Sequence, residues 1–326
     1  MRKGLVLGKF MPLHKGHLAL IEFAVQHCDH LTVLLCYNSS EAISGPQRLQ
    51  WLEESLHSYL SVTIDTYCYD ETELSASSDY SEDAASGWAA VLQERYPDLT
   101  TFFSSEAYGD AVARQMGIEH VAFDEGRIIV PVSGTAIRVH PFLYWDYLPK
   151  AAQPFFVKKA VLLGSESTGK STLAERLARQ FDTVFVPEMA REVIGHTESC
   201  TYEDLYKIAE LQALTIHKKL REANRILFCD TDLNITKSYS RYLFDKELEV
   251  AQWIEDASTF DLYLFLETDC PYVQDGTRLG EKERRELSDR HKQQLQKAGI
   301  SFVSIQGDWE ERFRLCCEVV KQRLLH

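Results

Sequence analysis

"KAVLLGSESTGKSTLAERLARQF", residues 159 to 181, decides how the second half of this chain folds. The apolar run 159–163 reads as a buried strand, and Leu173, Leu177 and Phe181 recur on one face of a helix. Between them, "GSESTGKS" (164–171) fits G-x-x-x-x-G-K-[ST] in the strand-to-helix setting that gives the pattern meaning. Gly164 and Gly169 let backbone N–H groups turn inward around phosphate oxygens, and the helix N-terminus adds potential favourable to an anion. Ser165, Glu166, Ser167, Thr168 and Thr172 are assigned to ATP binding with them. Lys170 is expected on the β and γ phosphates, and the Ser171 hydroxyl on Mg²⁺.

Outward from this turn, strand-like runs alternate with helix-periodic charged segments. "TVFVP" (183–187), "RILFCD" (225–230), "DLYLFL" (261–266) and "SFVSI" (301–305) predict a parallel sheet with helices between its strands. Asp230 and Asp232 close one of these strands, where open α/β sheets place their ligand sites. Asp230 is the expected partner of the Ser171-bound magnesium; a strand-end aspartate also reads as a helix cap. In "VPEMAR" (186–191), Glu188 and Arg191 suit a hydroxyl substrate, against the plainer reading of an ion pair on one helix face. "DGTRLGEKERRE" (275–286) offers Arg278 to the migrating phosphoryl group, whereas Arg284 and Arg285 read almost equally well as a solvated helix face.

The first half repeats the alternation. "GLVLG" (4–8), "LTVLLCY" (31–37), "VTIDTY" (62–67) and "TFFS" (101–104) predict strands, with Leu18, Ile21, Ala24 and Val25 at helical spacing between the first two. The serine-rich acidic stretch 70–88 reads as a loop. "PKAAQPFF" (149–156) marks a junction, so the expected units are 1–150 and 156–326, both α/β with parallel sheets. In "GKFMPLHKGH" (8–17), His14 and His17 stand at the seam of the first strand and helix, with Gly16 allowing close approach of a phosphate. A metal site is the rival, and it lacks a nearby third ligand.

Bulk properties narrow the classes. With 326 residues, 45% hydrophobic and 26% charged, the chain is ordinary for two globular domains. A net charge of -14 argues against broad nucleic-acid binding, so any phosphate is expected in a focused pocket. No membrane span or secretory leader is legible, and the eight scattered cysteines suit a reduced, cytoplasmic protein. A homo-oligomer is compatible with the sequence.

The motifs together carry a resemblance. "GKFMPLHKGH" resembles the H-x-G-H signature of the nucleotidyltransferase superfamily, and "VSGTAIR" (132–138) its second signature of the type I-S-S-T-x-x-R. With "GSESTGKST", "FCDTD" and "YVQDGTR" in this order along nearly the whole chain, they are similar to the NadR-type bifunctional proteins. These join a nicotinamide mononucleotide adenylyltransferase to a ribosylnicotinamide kinase. The resemblance implies ATP, nicotinamide riboside, nicotinamide mononucleotide and NAD as small-molecule partners, with Mg²⁺ as cofactor. It places His14, His17 and Arg138 on the ATP phosphates, Ser133 and Thr135 as further donors, and Gly8, Lys9 and Phe10 against substrate. Arg48 and Trp88 are the candidates for the mononucleotide phosphate and the nicotinamide ring. Some members carry an N-terminal helix-turn-helix; here the first strand starts at Gly4, so DNA reading is not expected. Two other readings stay open: an ATP-binding regulator, and the same chemistries on a different nucleoside and phosphorylated acceptor.

Overall fold

The computed structural model describes residues 1–70, 74, 82–194, 200–272 and 281–325, and the chain divides into two compact units, Met1–Gln153 and Pro154–His326. Among the described residues of the first unit, β1 (Lys3–Gly8), β2 (His30–Tyr37), β3 (Val62–Cys68), β4 (Thr101–Ser104) and β5 (Glu119–Ala122) form a parallel sheet in the order β3-β2-β1-β4-β5. The helices are α1 (Lys15–Gln26), α2 (Gly45–Leu56), α3 (Glu82–Arg95), α4 (Tyr108–Met116) and α5 (Gly134–Val139). Alternate strand residues Leu5, Leu7, Leu34, Cys36 and Phe102 bury against Trp88, Leu92 and Val112 of α3 and α4. Right-handed crossovers put α1 and α2 on the other face. The connection from β1 runs toward β2 and that from β4 toward β5. The crevice beyond the C-terminal ends of β1 and β4 is therefore where such a sheet receives a ligand.

Two expectations are corrected. Residues 82–88 open α3 instead of continuing a loop, and the helix buries Ala84, Ala85, Trp88 and Ala89. Small alanines give too faint an apolar stripe to outweigh the serines and acids around them. The remainder of that stretch, apart from Asp70 and Leu74, lies outside the described residues. The unanticipated β5 is a four-residue edge strand whose Glu119 and His120 hide its pairing with β4.

The short α6 (Gln153–Phe156) precedes the second sheet, in which β6 (Lys158–Leu163), β7 (Phe185–Val186), β8 (Ile226–Asp230), β9 (Leu262–Leu266) and β10 (Val303–Ile305) run parallel in the order β10-β9-β6-β8-β7. Its helices are α7 (Lys170–Gln180), α8 (Ala190–Val193), α9 (Tyr202–Leu220), α10 (Leu233–Phe244), α11 (Gln252–Ala257), α12 (Glu281–Lys297) and α13 (Trp309–Leu324). Leu173, Leu177, Cys316 and Val320 of α7 and α13 pack on Leu162, Phe228 and Leu264, so Cys316 is a core thiol. A separate core of Leu205, Ile208, Ala213, Leu233 and Ile254 joins α9, α10 and α11. Capping boxes at Thr201/Asp204 and Asp308/Glu311 fix the starts of α9 and α13. Among the described residues, no helix is long and apolar enough to cross a membrane.

Candidate functional site

In the first unit the seam after β1 places the histidines at the β1/β4 crevice. His14 caps α1, its Nδ1 accepting the His17 amide at 3.4 Å. A neutral His14 so bonded carries its proton on Nε2, leaving that atom a donor. The two imidazoles stack with centroids 3.6 Å apart, and Phe10 meets His17 edge-on at 5.0 Å. Burial and the field of Arg127 bring His14 down to about 4. Burial, His14 and Arg127 together hold His17 well below the ordinary histidine range. Both rings are thus neutral donors in the free protein, and positive charge comes from arginine. Arg127, which the sequence did not single out, sits in a left-handed turn at φ 50° and pairs with Glu106 at 3.1 Å. A Cβ on Gly16 would stand 3.0 Å from the His14 ring. Its lack of a side chain therefore leaves room for the histidine stack.

The second signature folds against the first. A Cβ on Gly134 would fall 2.7 Å from the Met11 carbonyl, and Arg138 donates to that same carbonyl and to Thr135 Oγ1 at 3.0 Å. The Ser133 hydroxyl caps α5 by accepting the Ala136 amide. Arg48 is corrected from its expected role. It is fully buried, donating to the Ser44 carbonyl at 3.3 Å, the Lys9 carbonyl at 2.8 Å and Glu41 Oε2 at 2.5 Å. Glu41 also pairs with Lys9 Nζ at 2.9 Å. Although burial raises the Glu41 carboxyl, Lys9 and Arg48 hold it below the usual range. Arg48 and Glu41 hence brace the loop carrying Gly8, Lys9 and Phe10, and Arg48 has no open face for a phosphate. Trp88 is corrected likewise: 1% exposed, it meets Tyr67 and Tyr69 edge-on in the core, where no ligand ring can stack.

In the second unit the turn after β6 opens onto a cavity of about 580 Å³. Gly164 at φ 140° and Gly169 at φ 84° take backbone conformations that side chains resist. A Cβ on Gly164 would lie 2.6 Å from the Leu266 carbonyl. Lys170 reaches back to the Ser165 carbonyl at 3.1 Å, and Ser171 Oγ donates to Asp230 Oδ2 at 2.5 Å. Ser171 and Asp230 are two hard oxygen donors side by side, and no group of three acidic, histidine or cysteine ligands occurs among the described residues. That set fits Mg²⁺, which takes one or two protein oxygens and fills its octahedron with phosphate and water.

Glu188, Arg191, Gln212, Asp232 and Tyr239 line the same cavity, with Ile194, Cys200, Leu205, Ile208 and Leu243 forming an apolar wall. Burial raises the Glu188 carboxyl; Asp230 and Glu166 add to that, and Lys170 opposes it. Asp232 is pushed up to about 6 by burial while it caps α10 through the Ile235 amide. The helix-cap reading of that aspartate is thus realised, on a residue that also lines the cavity. Arg191 stands 4.0 Å from Glu188 with its side chain 65% exposed. No sequence signal marks Gln212, a buried α9 residue that accepts the Met189 amide and donates to the carbonyls of Asp230 and Thr231. It fixes the Glu188 loop to the end of β8. Tyr239 donates to Glu166 Oε1 at 3.4 Å.

Arg278 lies outside the described residues. Arg284, expected as nearly as well on a solvated face, is 2% exposed and donates to the carbonyls of Glu166, Ser167 and Cys270. Arg312, unremarked in the sequence, is fully buried and donates to the Thr168 carbonyl.

A Rossmann-like sheet with stacked histidines at its switch point, followed by a phosphate-loop sheet with a serine–aspartate pair, defines a nucleotidyltransferase joined to a kinase. Residues 5–139 match the cytidylyltransferase-like family and residues 159–312 the AAA domain family. The chain is 32% identical to the trifunctional NAD biosynthesis/regulator protein NadR of Escherichia coli (strain K12), over 98% of this chain and 83% of that protein. It is 31% identical to the NadR protein of Salmonella typhimurium over the same shares. Crystal structures of NadR protein in complex with NR, and with NAD and AMP-PNP, superpose with TM-scores of 0.80 at 22% and 21% identity, covering 99% of this chain and 96% of each. The chain belongs to the NadR family of NAD-biosynthesis enzymes.

Proposed function

We propose that the second unit transfers the γ-phosphoryl group of ATP to the 5′-hydroxyl of nicotinamide riboside, and that the first unit transfers the adenylyl group of a second ATP to the resulting mononucleotide, giving NAD and pyrophosphate. The observation that carries this reading is the presence, in one chain of this family, of two phosphate-handling crevices with different equipment: neutral stacked histidines in one, and a lysine with a serine–aspartate pair in the other. In the kinase step the 5′-oxygen bonds the γ-phosphorus as the bond to the β-bridging oxygen breaks, and ADP leaves. Lys170 moves from the Ser165 carbonyl to the β and γ oxygens. Glu188 accepts the hydroxyl proton; burial raises its carboxyl and makes it a stronger base than an ordinary glutamate. Ser171 and Asp230 would hold Mg²⁺, which would supply charge neutralisation to the phosphates. Asp232, Gln212 and Arg191 are the polar groups offered to the riboside.

In the adenylyl step the mononucleotide phosphate attacks the α-phosphorus and pyrophosphate leaves, with no bond to the enzyme. His14 Nε2–H, His17, Arg127 and Arg138 are the donors to the triphosphate, positioned before the reaction begins. His17 Nδ1 is buried without a hydrogen-bond partner among the described residues, an atom that a phosphate oxygen would satisfy.

Glu188→Gln is expected to lower riboside phosphorylation by about 10²-fold while ATP and Mg²⁺ still bind. Because the Glu188 carboxyl is raised, the acidic limb of the wild-type kinase profile falls above the ordinary glutamate value, activity being lost as pH falls through it; the variant loses that limb. Asp230→Asn raises the magnesium requirement instead. Full turnover in Glu188→Gln, with Asp230→Asn inactive at normal magnesium dependence, would reverse the two assignments.

A further inference from the structure

We propose that Arg284 and Arg312 are positioning residues of the kinase reaction: two buried guanidiniums behind the 164–171 turn hold its carbonyls outward, so that its amides face the triphosphate. The inference rests on the kinase reading above.

Four successive carbonyls of the turn each accept from a side chain. Ser165 O takes Thr168 Oγ1 at 2.8 Å and Lys170 Nζ at 3.1 Å; Glu166 O takes Arg284 Nε at 3.1 Å. Ser167 O takes Arg284 Nη2 at 3.2 Å, and Thr168 O takes Arg312 Nη1 at 3.1 Å. In a planar trans peptide the N–H points opposite to the C=O. Fixing the Glu166, Ser167 and Thr168 oxygens outside with the two arginines therefore aims the N–H groups of residues 167–169 inward, the arrangement an anion-binding nest requires. Ser167 at φ 59° and Gly169 at φ 84° occupy conformations that persist when surrounding contacts over-determine them.

The opposite arms of the arginines grip the C-terminal edge of the sheet. Arg284 Nη1 donates to the Cys270 carbonyl at 3.1 Å. Arg312 donates to the carbonyls of Glu267 at 3.0 Å and Gly307 at 2.9 Å, and pairs with Asp269. Each guanidinium thus bolts the turn to the β9 edge with a planar fork, which a lysine ammonium cannot reproduce. They come from α12 and α13, far along the chain from the turn they shape. Of the two, only Arg284 has its backbone near a sequence motif, and its role lies in the loop's outer side and not on the phosphoryl group.

The test uses the full chain with Arg284→Lys and Arg312→Lys singly, which keep the charge and remove the fork. Loss of a charged hydrogen bond predicts that the Kd for MgATP, read by calorimetry, and the KM for ATP each rise about tenfold. The riboside KM and the adenylyl-transfer rate are expected to stay within about twofold. The gentler Asp269→Asn, which loosens only the Arg312 anchor, should raise the ATP Kd by about threefold. A purely structural role would instead lower the melting temperature and the yield of active enzyme, leaving both KM values of the survivors at wild type. That result, or an unchanged ATP Kd in all three variants, would overturn the proposal. A wild-type chain that binds ATP and ignores the riboside would discard the substrate assignment, while the ATP Kd still reads the arginines.

Discussion

Lys170→Ala is expected to reduce riboside phosphorylation by about 10³-fold or more and to leave adenylyl transfer within about twofold. Lys170 is the first residue of α7 and is 9% exposed, with its ammonium resting on the Ser165 carbonyl inside the turn. Removing it leaves the amides of the turn in place, so ATP still binds, with weaker affinity. What is lost is the cation that follows charge onto the leaving β-oxygen, an interaction strongest in the transition state. The donors of the adenylyl step all lie within Met1–Gln153, a separate compact unit, and no step assigned to them uses Lys170. Rate constants for the two half-reactions, assayed separately with riboside and with mononucleotide, decide the matter. Equal loss of both in a folded variant would remove the two-site account.

His17→Ala acts on the other half, lowering adenylyl transfer by about 10²-fold with riboside phosphorylation intact. The stability cost is expected to be modest for a buried histidine. Its Nδ1 forms no hydrogen bond to any described residue, so truncation forfeits the ring contacts with His14 and Phe10 but leaves no side-chain partner unpaired. A large fall in rate beside a small fall in melting temperature is the signature of a group kept for the reaction. Unchanged adenylyl transfer would make His17 a structural residue.

Both substitutions follow from features visible in the sequence, and the reason is local geometry. A phosphate-binding turn needs its glycines, lysine and serine at fixed intervals between a strand and a helix, and a histidine seam needs its residues within one turn of α1. Long-range braces have no such interval. Arg284, Arg312, Glu41 and Gln212 sit on helices or loops whose charge pattern resembles that of any solvated surface, and tertiary packing alone turns them inward. Arg48 on α2 and Trp88 on α3 are buried for the same reason, since a residue's type does not reveal whether its face of a helix turns inward. The strands were legible where they carried an apolar or β-branched run, as in β6, β8 and the edge strand β3, and illegible where a four-residue edge strand began with Glu119 and His120, as in β5.

The most direct measurement gives the wild-type chain ATP, Mg²⁺ and nicotinamide riboside as the sole pyridine compound, and resolves the products by chromatography over time. The account predicts that nicotinamide mononucleotide appears first, followed by NAD with release of pyrophosphate. Riboside left unchanged while ATP is bound, or mononucleotide that accumulates with no dinucleotide at any ATP concentration, would contradict it.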